Sequence, residues 1–199
     1  MKNLAATICL AVALLFGSAG VSWSQDFQKG LTAAQSGDFA TALREWTPLA
    51  KQGNAEAQYN LAWMYANGQG VPQDYKIAVK WYTLAAEQGN AGAQYNLGFI
   101  YDEGKGVPQD DKTAVKWYRL AAEQGYAKAQ GKLGVMYATG KGVIQDWVYA
   151  HMWGNLGASN GNEPGGQLRD LAAELMTPAD LSTAQNLARE CVRKNYKGC

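Results

Sequence analysis

The chain has a single histidine, His151. A zinc site assembled from His and Cys needs three or four ligands, and one His with two distant cysteines does not provide them. His151 also has no nucleophile and orienting partner at a readable spacing, so covalent catalysis has no signature. Basic residues form no block and the net charge is only +1. A phosphate backbone calls for clustered Lys and Arg, so nucleic acid is excluded as a partner. The carboxylates at Asp102, Glu103 and Glu174 are scattered. They form neither a glycosidase pair nor a calcium loop. No metal and no cofactor is expected. Beyond residue 16 no apolar run approaches the ~20 residues needed to cross a bilayer.

What is present begins with a leader. Lys2 precedes an uncharged apolar run over residues 4–16, and Ser22-Trp23-Ser24 supplies small side chains where a signal peptidase reads them. Cleavage is expected after Ser24, with Ala19 as the second choice and a retained membrane anchor as the alternative. Cys9 follows Ile8 rather than a small residue, so it does not read as a lipid attachment site. The mature chain is then periplasmic or secreted, with no stable membrane insertion. It keeps Cys191 and Cys199. In an oxidising compartment an even pair reads as a disulfide, and two free thiols are the alternative. One continuous helix would hold two residues eight apart at roughly 12 Å. If the pair forms, the last helix must therefore end between them, near 194–198.

Glycine is frequent, at 23 residues. Much of it recurs with a period. Trp81, Trp117 and Trp153 stand 36 residues apart, and Gly53, Gly89, Gly125 and Gly161 keep the same step. Ala78-Val79-Lys80-Trp81-Tyr82 returns as Ala114-Val115-Lys116-Trp117-Tyr118. Gly70-Val71-Pro72-Gln73-Asp74 returns as Gly106-Val107-Pro108-Gln109-Asp110, and loosely as Gly142-Val143-Ile144-Gln145-Asp146. Such a period marks a repeat architecture.

Each unit reads as two helices. Helix A runs from about 54 to 67, with Ala57, Leu61, Met64 and Tyr65 three and four apart. Asn54 caps its start and Gly68 stops it. After the glycine loop, Asp74 caps helix B, whose buried stripe is Ala78, Trp81, Tyr82 and Ala85. Ala at so many positions implies closely approaching helices, with each Trp filling the space between them.

The Ala-Glu-Ala-Gln-Tyr-Asn-Leu-Ala run at residues 55–62, the Gly-x-Gly-Val-Pro-Gln-Asp loop and the Ala-x-Lys-Trp-Tyr helix resemble Sel-1-like repeats, relatives of tetratricopeptide repeats. The resemblance spans residues 54–161. It implies an all-α fold, a right-handed α-solenoid of antiparallel helix pairs. It also implies a scaffolding role in protein complexes, in bacteria often periplasmic or extracellular. Residues 1–24 are then the leader and 25–53 a divergent first hairpin, in which Trp46 stands where Tyr82 and Tyr118 stand later. Repeats follow at 54–89, 90–125 and 126–161. A C-terminal capping helix pair occupies 162–199. There Pro164-Gly165-Gly166 is expected to bend the chain ahead of a helix near 167–176, and Thr177-Pro178 to start the last helix. The spacing of Cys191 and Cys199 is similar to that of cysteine-rich relatives of these repeats.

Two motifs fail on context. Gly157-Ala158-Ser159-Asn160-Gly161 matches a nucleophile elbow, but no strand precedes it and the register puts Gly161 at an ordinary helix end. Residues 125–132 approach a phosphate loop with one residue too many, and Leu133 replaces the required hydroxyl. No Ser-x-x-Lys site supports a β-lactam or cell-wall hydrolase, so that enzymatic reading rests on analogy.

In relatives of this kind helix A lines the concave face. By that resemblance Tyr59 and Trp63 point inward, and Tyr95 and Phe99 repeat them, with Gly131 and Val135 third in each row. The expectation is a non-enzymatic protein- or peptide-binding surface anchored by Tyr59, Trp63, Tyr95 and Phe99, with Asn67, Asp102 and Glu103 as a solvent-facing polar rim. The alternatives are that these aromatics are packing between repeats, or that exposed Trp and Tyr stack on peptidoglycan or another glycan.

Overall fold

The computed structural model describes residues 24–199. The leader expected over residues 1–24 lies outside the described residues, save Ser24. The described chain is helical throughout. Helix α1 covers residues 24–35. It is followed by α2 (Phe39–Lys51), α3 (Ala55–Asn67), α4 (Tyr75–Glu87), α5 (Ala91–Glu103), α6 (Asp111–Ala122), α7 (Ala127–Thr139), α8 (Trp147–Ser159), α9 (Glu163–Leu175) and α10 (Pro178–Arg193). The fold is the all-α solenoid of antiparallel helix pairs. Helices A are α3, α5, α7 and α9, and helices B are α2, α4, α6 and α8.

Polar caps set these boundaries. Free backbone N–H groups at a helix start need acceptors, and a short side-chain oxygen supplies one, worth about 0.5–2 kcal/mol. Asp38, Asp74 and Asp110 each accept from a backbone N–H three residues on at 3.0 Å, and Asp146 opens α8 by accepting from Val148 and Tyr149 at 2.8 and 3.2 Å. Asn54, Asn90 and Asn162 do this for α3, α5 and α9 at 2.8 Å. The third repeat has Tyr126 at that position and no side-chain cap.

The A-to-B loop needs glycine for two reasons. Gly70 has φ +70°, which favours glycine, and a Cβ there would stand 2.6 Å from the Cβ of Phe39, at the start of α2. Each loop therefore packs against the helix B before it, which fixes the stagger between repeats.

Alanine lines the contacts between helices. Ala57, Ala78, Ala93, Ala114, Ala129 and Ala150 are wholly buried. Large residues fill what the alanines leave: Trp46, Tyr82 and Tyr118 are buried at one repeat position, as their shared register predicts. The tryptophans one position earlier are unequal. Trp153 is 0% exposed, whereas Trp81 and Trp117 are only half-buried. The difference arises because α10 packs over α8 and adds Ala188 and Cys191 to the core that holds Trp153.

A chain of side-chain amides runs through the repeats. The buried Gln58, Gln94 and Gln130 donate from Nε2 to the carbonyls of Ala50, Ala86 and Ala122 at the end of the preceding helix B, at 3.0, 3.0 and 3.1 Å. Their Oε1 atoms accept from Gln88, Gln124 and Asn160 at 2.7, 2.7 and 2.8 Å. Each pair satisfies carbonyls left open at a helix end and a buried amide at once.

The C-terminal segment corrects one expectation. Pro164-Gly165-Gly166 does not bend the chain, because α9 begins at Glu163 and contains all three. Proline is tolerated in the first turn, where its missing N–H costs nothing. The glycines serve close approach. A Cβ on Gly154 of α8 would meet the Gly165 carbonyl oxygen at 2.8 Å and the Arg169 nitrogen at 3.1 Å, so α8 and α9 touch backbone to backbone. Gly154→Ala is expected to cost about 1–3 kcal/mol by forcing these helices apart. At Gly166 a Cβ would meet only Ala158 at 3.5 Å. Gly166→Ala should therefore be neutral or stabilising by up to ~1 kcal/mol through helix propensity. Urea denaturation midpoints of the two variants check both, and equal losses would contradict the close-approach account.

Helix α10 starts as expected, with Thr177 as cap and Pro178 in the first turn. It packs against α8. It ends at Arg193, after which Asn195 and Tyr196 take left-handed φ of 51° and 65°. That turn brings Cys199 back to Cys191, with Cα atoms 5.5 Å apart and the disulfide formed. The helix does end between the cysteines, where the pairing requires it.

Candidate binding face

Residues four apart lie on one face of a helix, and equivalent residues of neighbouring A helices form rows across the repeats. Trp63 is 39% exposed, large for an indole in a protein with so full a core. Its ring lies 6.5 Å from that of Phe39. Asn67, one turn on, donates to the Trp63 carbonyl oxygen at 2.8 Å. Across from them Asn96 and Phe99 of α5 complete a small cleft of about 160 Å³, floored by Tyr82 and Ile100. Lys105 sits 4.4 Å above the Phe99 ring and 5.9 Å above that of Tyr75, close enough for cation–π attraction.

Of the residues singled out in the sequence, Trp63, Asn67 and Phe99 thus come together around one cleft. Tyr59 and Tyr95 are half-buried and lean on the core. The Tyr59 ring is 5.9 Å from that of Tyr82, and the Tyr95 ring is 5.7 and 5.3 Å from those of Tyr118 and Tyr126. Burial raises the hydroxyls of Tyr59, Tyr82, Tyr95 and Tyr118 above the ordinary tyrosine range, which favours their neutral forms. Glu103 is exposed, as a rim residue should be.

Asp102 is not a rim residue. It is buried, where it was expected to face solvent. The Tyr118 hydroxyl donates to it at 3.5 Å, and Lys132 and Lys141 lie 3.7 and 3.8 Å away. Its carboxylate joins the second and third repeats rather than facing a partner. A buried carboxyl group is retained where its oxygens find polar partners of this kind.

Sequence reasoning missed three members of this face. Lys105 lies in the glycine loop, whose sequence signals only a turn. Asn96 repeats Asn60 of α3, and that period was the available signal. Leu171 follows Pro164-Gly165-Gly166, whose sequence signals a bend and so hides the repeat register beyond it. Since α9 keeps the 36-residue register, the row is Trp63, Phe99, Val135 and Leu171. Val135 is 43% and Leu171 50% exposed, so the apolar row continues to the last A helix.

The nucleophile-elbow and phosphate-loop patterns fall largely within α8 and α7. Ser159 ends α8 and donates to the Asn155 carbonyl oxygen at 2.9 Å, with no strand before it. Gly131 and Lys132 lie within α7 and form no phosphate cradle. Among the described residues no His, Cys, Asp and Glu cluster could hold a metal, and no helix is long and apolar enough to cross a membrane.

The profile of the family described as Sel1 repeat matches residues 55–90, 91–126 and 127–162. No curated protein matches the chain. Among solved structures the chain is similar to a Sel1 repeat protein from Oxalobacter formigenes, at 30% identity and TM-score 0.66, over 83% of this chain and 75% of that one. It is also similar to a protective antigen of uropathogenic Escherichia coli strains displaying an SLR fold, at 29% identity and TM-score 0.55. That match covers 92% of this chain but only 48% of the antigen.

Proposed function

Because the chain belongs to the Sel1 repeat family, we propose that it is a non-enzymatic adaptor of the periplasm or extracellular space that binds a protein or peptide on its concave helix-A face. Sel1 repeats generally mediate protein interactions. The observation that carries the reading for this chain is the row of exposed Trp63, half-buried Phe99, and exposed Val135 and Leu171, one residue per A helix, with a cleft between its first two members. Interface energy concentrates in a few accessible aromatic side chains that a partner desolvates. Trp63 and Phe99 supply these, and Asn67, Asn96, Glu103 and Lys105 surround them with polar groups that fix orientation.

The test compares wild type with Trp63→Ala/Phe99→Ala and with Leu84→Ala/Leu120→Ala, which alters exposed leucines of the B helices. Each protein is immobilised and exposed to periplasmic extract, and in parallel to purified cell wall. A bound polypeptide should be retained by wild type and by the Leu84/Leu120 variant. It should bind the Trp63/Phe99 variant at least ~30-fold more weakly, as for hot-spot loss. Equal retention by all three proteins, or retention on cell wall alone, overturns the reading.

A further inference from the structure

Helices α8, α9 and α10 together line a groove of about 650 Å³. This volume lies in the range of small-molecule sites. The groove lies on the last three helices, away from the cleft between Trp63 and Phe99. Its floor is a stripe of α8, His151, Asn155 and Ser159, four residues apart. Leu156, Leu181 and Val192 give it apolar surface. Arg169 of α9 and Arg189 of α10 stand on opposite walls.

His151 is the unusual member. It occupies the position where Val79 and Val115 stand in the earlier repeats, and it is 3% exposed. Its Nδ1 is buried with no hydrogen-bond partner. A valine there would leave no polar atom stranded, and an unmet buried group costs about 1–3 kcal/mol. The unpartnered lone pair is the cheaper option at Nδ1, so the ring proton belongs on Nε2, on the groove side of the imidazole. The cations around it are unevenly matched. Arg169 is held by Asp170, at 2.7 Å from Nη2. Arg189 donates to the Asn186 side chain and makes no ion pair among the described residues. Arg189 is thus an exposed guanidinium with no carboxylate partner among the described residues, at the wall of a groove floored by the His151 imidazole.

We propose that this groove binds an organic carboxylate with an apolar body, its oxygens taken by Arg189 and the His151 Nε2–H and its body laid on Leu156, Leu181 and Val192. A free small acid and the C-terminal residue of a peptide share that chemistry. Charge-assisted hydrogen bonds from a guanidinium are the strong kind, which suits a carboxylate.

His151 is the chain's one histidine, so its ring protons give a single NMR reporter. The charged groups facing it are Arg169 and Asp170 of α9 and Arg189 of α10, and α8 contributes none. Burial, then Arg169, holds its pKa below the ordinary histidine value. A bound carboxylate should move the titration midpoint upward by about one pH unit. The probes are hexanoate with hexanamide as its uncharged match, and acetyl-Ala-Ala-Leu as free acid and as amide. The expected result is that at least one acid shifts the His151 resonance saturably and raises its midpoint, while the matched amide does neither. Arg189→Ala should weaken that acid by about tenfold or more. A response to hexanoate alone assigns a small acid, and a stronger response to the peptide acid assigns a chain terminus. No response to either acid, equal responses to acid and amide, or an unchanged affinity in Arg189→Ala would overturn the proposal.

Discussion

Trp153→Ala is expected to lower stability by about 3–5 kcal/mol, the range for emptying a buried indole. For a protein of this size that is a fall in melting temperature of roughly 6–20 °C. The reason is the position of Trp153 among Val115, Tyr118 and Leu156 with α10 closed over it, at 0% exposure. Trp81→Ala should cost less, since that ring is half-buried. Trp63→Ala should cost under about 1 kcal/mol, as surface changes usually do. Thermal melts of the three variants check the order. Should Trp63→Ala lose as much as Trp153→Ala, the row is a packing seam and the binding face loses its anchor.

The second large effect concerns the C-terminal turn. Opening the Cys191–Cys199 disulfide by Cys199→Ser is expected to cost roughly 2–3 kcal/mol, from the loop entropy that a cross-link over eight residues removes. The loss is structural as well. The disulfide fixes the turn at Asn195 and Tyr196, both in a backbone region that side chains rarely adopt. Tyr196 packs against Gly125 and exchanges hydrogen bonds with Asn160 at 3.2 Å. Denaturant midpoints with and without reductant measure the effect. Thiol titration of the unreduced chain beginning at Gln25 should find no reactive thiol. A midpoint that ignores reductant would refute the stapling role.

Most of the helical frame could be read in advance because its signals are local. A capping Asp74 or Asn54 and a stopping Gly68 act within one turn, and the 36-residue echo repeats the message. Even the end of the last helix followed from the reach of a disulfide. What escaped were properties of contact between helices. Trp81 and Trp153 have the same place in the repeat, yet only α10, a non-repeating helix, decides which is sealed. Pro164-Gly165-Gly166 reads as a breaker in one dimension and as a close-packing surface in three, because Gly165 is needed by the helix beside it. Asp102 resembled a solvent-facing acid until Lys132 and Lys141 came near from the following repeat. The face was legible in Trp63 and Phe99, whereas its polar surround depended on Lys105, which a loop folds back over the ring.

The amide chain through Gln58, Gln94 and Gln130 has a consequence for how such an array can change in length. Each link spans one repeat boundary and is identical to the next, so a 36-residue block could be added or removed between Gln88 and Gln124 with every donor finding its acceptor. A block of any other size would leave an amide and a carbonyl stranded on either side of the splice. The far end is different, since there Asn160 replaces glutamine and shares itself between Gln130 and the Tyr196 hydroxyl. Growth at that end would have to displace the tyrosine. The array can therefore lengthen from within, in whole steps, without disturbing the contact between Tyr196 and Asn160.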